Sequence, residues 1–156
     1  MHANFLAVLV VLLSLTLGML LELFSTPMLD APWLLVLLVF WSLYLPSVAG
    51  IGLAWIVGLF LDAASATPLG SHALIFTLAS ALTLGARRLL LTYSVVQQGL
   101  WVAFIALSQQ VALALVSPQE ANAVSSFAQV ALSSVLVWLA LHTLLHRWLR
   151  ARVSAD

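Results

Sequence analysis

Asp62 closes a glycine-striped apolar stretch that begins at Pro46 and passes through Gly50, Gly52 and Gly58 before reaching Leu61. A carboxylate in such a setting has three kinds of chemistry open to it. It can sit at a membrane interface and cap the turn Ala63-Ala64-Ser65, it can be buried in a bundle as a protonated or hydrogen-bonded group, or it can bind a cation or substrate. At the centre of a spanning helix an ionised Asp costs on the order of 2.5 to 3.5 kcal/mol, and less toward the interface. His72 lies further along on the same side and is the candidate partner. His142 and His146, at i and i+4, could share a metal, yet no third ligand lies near them, and interfacial histidines beside Arg147 and Trp148 fit better. Gln97-Gln98 and Gln109-Gln110 place amides in one apolar segment, with Gln98 and Gln109 on one helical face. Helix-helix hydrogen bonding is the default use of such amides, and lining a polar cavity the second. No Gly-x-Ser-x-Gly elbow, His-Glu-x-x-His, phosphate loop or paired intramembrane aspartates occur, so nothing supports an enzyme, a cofactor or a metal.

The elements that must position these groups are membrane helices. The chain is 64% apolar and 6% charged, with a mean hydropathy of +1.18, too little polar material to cover a water-soluble fold. It contains no cysteine, which excludes disulfides and thiolate sites. Phe5 to Phe24 has the length of a spanning helix and lacks a basic leader, so it is read as a retained first helix ending near Glu22 and Ser25-Thr26-Pro27. The apolar run from Trp33 to Leu61 is too long for one ordinary span, and Pro46 followed by Gly50-Ile-Gly52 divides it by a hairpin. The expected helices are 5–24, 32–45, 48–65, 72–86, 93–116 and 125–148, in a single transmembrane domain of residues 1–156. The second and third are short for a hydrocarbon core of roughly 30 Å and need shielding by neighbours or a locally thinned bilayer. Ser117 to Asn122 forms a polar turn.

With six alternating helices, Arg87-Arg88 falls on the same side as Arg147, Arg150 and Arg152, which marks that side as cytoplasmic and puts both termini there. The arginines are a topology signal and do not call for nucleic acid. Glu22, Asp30, Asp62 and Glu120 then fall outside, where Asp62 costs less and the first two readings of it are favoured. On an α-helix Ile51, Trp55, Gly58 and Asp62 lie within an arc of about 60°. The glycines suit close helix packing. Trp33, Tyr44 and Trp148 suit an interfacial belt.

The ordered set Pro32-Trp33, Trp41, Pro46, Gly50-x-Gly52, Gly58, Asp62 and Leu69-Gly70, with Gln97-Gln98 beyond it, resembles the rod shape-determining protein MreD family. One departure is Ser47-Val48 after Pro46, where many relatives carry a basic residue. The resemblance implies an all-α integral membrane protein, a six-transmembrane-helix bundle similar to the substrate-binding subunits of energy-coupling-factor transporters. It further implies a non-enzymatic scaffold of the bacterial inner membrane, associated with MreC and coupling MreB filaments to the polymerase RodA and its transpeptidase partner. A homodimer is left open. The rival is a small-molecule-binding subunit of a vitamin-type transporter, with Asp62, Trp55, Gln98 and His72 lining its pocket.

Overall fold

The computed structural model describes residues 2–24, 31–116 and 127–153, with side chains for 5–24, 31–115 and 127–144. Among them are six helices: α1 (His2–Leu23), α2 (Trp33–Tyr44), α3 (Ile51–Ser65), α4 (Ser71–Leu90), α5 (Val95–Val116) and α6 (Phe127–Val153). The expected turns at Ser25-Thr26-Pro27 and Ser117 to Asn122, with Asp30 and Glu120, lie outside the described residues, as do the side chains of His146, Arg147, Trp148, Arg150 and Arg152.

Four stretches are long and apolar enough to cross a membrane: Phe5–Leu23, Ser71–Leu90, Val95–Leu115 and Phe127–Leu144. The 12 residues of α2 and 15 of α3 are not, reaching only about 18 and 22 Å at 1.5 Å per residue. For α2 the shortfall is resolved by position. It is apolar on every side, and such a helix is stable only when enclosed. Every residue from Leu34 to Leu43 is buried, with α1, α4, α5 and α6 around it. Trp41 anchors this core by donating from Nε1 to Ser14 Oγ at 2.8 Å, and Phe40 meets the rings of Trp41 and Trp138 edge-on. In α3, by contrast, one face packs along α4, whereas Ile51, Trp55, Ile56 and Phe60 are exposed.

Local chemistry sets the helix ends. The Leu34 N–H, free at the start of α2, donates to Glu22 Oε2 at 2.9 Å, so a carboxylate of α1 meets the positive end of α2. At Pro46 the chain turns as expected, but α3 begins at Ile51 and not at Val48. The Val48 and Ala49 amides are both tied back to the Leu45 carbonyl and still belong to the turn. Helix α4 does not stop at Ala86; it continues through Arg87-Arg88 to Leu90. Arginine is a good helix former, cations favour a helix C-terminus, and Arg87 Nε donates to Leu43 O at 2.8 Å. Tyr93 lies in the turn before α5, because Ser94 and Gln97 form a reciprocal capping box: Ser94 N–H donates to Gln97 Oε1 at 2.9 Å, and Gln97 N–H to Ser94 Oγ at 3.4 Å. Helix α6 runs beyond Trp148 to Val153.

Candidate functional site

Asp62 occupies the last turn of α3 and is fully buried. Its Oδ1 accepts from the His72 N–H at 2.9 Å, from His72 Nδ1 at 2.8 Å and from Thr67 Oγ1 at 3.0 Å. Its Oδ2 accepts from the N–H groups of Gly70 at 2.8 Å and Ala73 at 3.3 Å. The Asp62–His72 pairing is therefore present, and His72 Nδ1 carries the proton, since a carboxylate only accepts. His72 also sets its ring edge against Phe76.

This geometry selects among the three readings of Asp62. The carboxylate does not cap its own following turn, Ala63 to Ser65. It reaches across to α4 and satisfies N–H groups at that helix's N-terminus, where an anion is most stabilising. An ionised carboxylate offers about four lone-pair sites, and five donors from the chain itself already occupy them. No site remains for a cation or substrate.

Gly58 makes the reach possible. One turn before Asp62, a Cβ at this position would lie 2.3 Å from Ala73 Cα and 2.6 Å from Ala73 N. Only glycine lets the two backbones meet so closely. Gly70, just before α4, adopts φ +102°, a left-handed conformation that costs other residues about 1–2 kcal/mol. Gly70→Ala is therefore expected to destabilise by about that amount and to lower the thermal unfolding midpoint in detergent, whereas Gly52→Ala, whose Cβ would meet nothing, should not lower it.

The remaining residues of the sequence motif divide among separate places. Pro32 and Trp33 begin α2 at the same end as the Asp62 cluster, and Trp41 lies in the core. Leu69 projects from the α3–α4 loop at 78% exposure. Pro46, Gly50 and Gly52 lie at the opposite end. The packing role expected for the last two glycines is not found, since a Cβ on Gly52 would meet nothing within 4 Å and one on Gly50 only Pro46 O at 3.6 Å. Ile51 and Trp55 do not join Gly58 and Asp62 against α4; the buried face is Ala54, Gly58, Leu61 and Asp62.

The pocket lined by Asp62, His72, Trp55 and Gln98 does not assemble. Gln98 Nε2 donates to Leu90 O at 2.8 Å at the C-terminus of α4, roughly 27 Å along that helix from His72. Trp55 is exposed. Gln98 instead accepts from Tyr44 OH at 3.4 Å, and the same hydroxyl meets His142 Nδ1 at 3.3 Å. Neither Tyr44 nor His142 is thus a free interfacial group. Sequence reasoning missed Thr67 and the capping role of Glu22. The threonine before Pro68, a common turn former, and the glutamate preceding Pro32 at a helix start were the available signals.

A family model described as rod shape-determining protein MreD matches residues 1–151. Comparison with curated proteins and with solved structures gives no match.

Proposed function

The chain belongs to the rod shape-determining MreD family, and from that premise we propose that it is a non-enzymatic scaffold of the bacterial elongation complex. In this reading it lies in the cytoplasmic membrane with both termini on the cytoplasmic side. It binds MreC and, with it, helps couple MreB filaments to RodA and its transpeptidase partner during peptidoglycan synthesis. Its bundle shares its architecture with the substrate-binding subunits of energy-coupling-factor transporters. The observation that carries a scaffold over a transport or catalytic reading is the saturation of Asp62. The buried carboxylate is committed to joining α3 to α4, and all five of its donors belong to this chain.

Helix α2 is enclosed by α1, α4, α5 and α6 and offers no open face to a partner helix. The better seat is an apolar groove of about 280 Å³ between α1 and α3, lined by Leu12, Leu15, Met19, Leu53, Ile56 and Phe60 among others. Its α3 wall is held at a fixed angle by the Gly58 contact and the Asp62 cap. Filling it with Ile56→Trp should reduce MreC co-purification at least about tenfold, which corresponds to 1.4 kcal/mol, while leaving the unfolding midpoint near wild type. Undiminished capture of MreC by the folded variant would place the seat elsewhere.

A further inference from the structure

We infer that the arginine-bearing end of the bundle is a binding site for the headgroups of anionic glycerophospholipids. All five basic residues of the chain are arginine, with no lysine. A charge that only orients a membrane protein can be either residue, whereas the planar guanidinium presents paired donors that match a phosphate.

The fold collects these charges. Arg87 Nε is fixed on Leu43 O at the end of α2, and the next residue, Tyr44, meets His142 of α6. The ends of α2 and α4 and the C-terminal half of α6 thus adjoin. Arg88 is exposed at the end of α4, beside the exposed Leu91 and Tyr93. An aromatic ring and apolar side chains in such a turn suit headgroup depth. The apolar run of α6 gives way at His146-Arg147, but the helix continues to Val153, so that its last two turns carry Arg147, Arg150 and Arg152.

Nothing among the described residues neutralises this end. Glu22 and Asp62 are at the opposite one, on the N-termini of α2 and α4. The alternative occupant is an acidic segment of a cytoplasmic protein. Depth favours the lipid: Arg88 and Arg147 stand within one turn of the points where apolar helices leave the hydrocarbon, and headgroup phosphates lie at that level by necessity. Clusters of arginine directly beside membrane spans attract anionic lipid in this way.

The test uses native mass spectrometry of the full chain, delipidated and then offered equimolar phosphatidylglycerol and phosphatidylcholine of matched acyl chains. Retention of phosphatidylglycerol should exceed that of phosphatidylcholine about tenfold, the equivalent of 1.4 kcal/mol. The preference should vanish in Arg88→Gln/Arg147→Gln/Arg150→Gln/Arg152→Gln, and fall severalfold when the same four positions become lysine. Arg87 is left in place because it ties α4 to α2. Circular dichroism and the unfolding midpoint verify that each variant is folded. Equal retention of the two lipids by the wild type, or an undiminished preference in the folded glutamine variant, overturns the inference. So does binding of a polyglutamate peptide that phosphatidylglycerol fails to displace, which would assign the site to an acidic protein.

Discussion

Asp62→Leu is expected to yield little folded protein, and Asp62→Asn to give a folded protein with a clearly lowered unfolding midpoint. Leucine leaves the Gly70, His72 and Ala73 N–H groups without their acceptor, together with the Thr67 hydroxyl and the His72 ring. Each buried donor so stranded costs about 1–3 kcal/mol. Three or more, even if not additive, approach the 5–15 kcal/mol that typically separates a folded domain from its unfolded chain. Asparagine retains one acceptor oxygen but must turn an NH₂ group toward either the Gly70 and Ala73 amides or the His72 and Thr67 donors. Because both carboxylate oxygens are in use, the loss should be intermediate. Fluorescence-detected size-exclusion after a temperature ramp measures all three proteins. A wild-type midpoint for Asp62→Leu would show that the cap does not hold α3 to α4.

The second large effect is expected at Gly58. Alanine there would place its Cβ 2.3 Å from Ala73 Cα, 2.6 Å from Ala73 N and 2.8 Å from the His72 carbonyl carbon. These are backbone atoms, so no rotamer change relieves the overlap. The two helices must move apart, at a cost of about 1–3 kcal/mol for the packing alone. Separation also draws Asp62 away from the N–H groups it serves. The total should exceed the packing cost, and it overrides the roughly 0.5–1 kcal/mol by which alanine favours a helix over glycine. Gly85→Ala is the control, because a Cβ on Gly85 meets nothing within 4 Å. Gly58 and Asp62 act on one contact, so their combined effect should be smaller than the sum of the two. A Gly58→Ala midpoint equal to that of Gly85→Ala would remove the close approach from the account.

Much of the architecture was legible in the residues. Pro46 divides the long apolar run, and each of the six helices is found near its expected place. The Asp62–His72 contact followed from elimination: both residues lay on one side of the bundle, where no arginine was available. What failed to read out depends on partners distant in sequence. The arginine pair looked like a stop because nothing local tells that Arg87 will find Leu43 O, 44 residues earlier. Tyr44, Gln98 and His142 are 54 and 98 positions apart from Tyr44 to each partner, and each alone resembles an ordinary interfacial or helix-packing residue. A glycine stripe gives no indication of which of its members has a neighbour, and here only Gly58 meets backbone of another helix, while Gly52 meets nothing. The rival pocket joined Asp62 and Gln98 by residue type. Helix α4 separates them by nearly its own length.

The enclosure of α2 also constrains how the protein is made. Three of the four helices that surround this helix, α4, α5 and α6, are synthesised after it. With only about 18 Å of length it cannot settle across the bilayer alone while it waits. During translation the α2–α3 hairpin must therefore be sheltered by the insertion machinery, or lie shallow in the membrane, until α6 arrives. Nascent chains arrested before α6 should consequently be targets of membrane quality control, and the protein's cellular abundance should depend on α6 being completed.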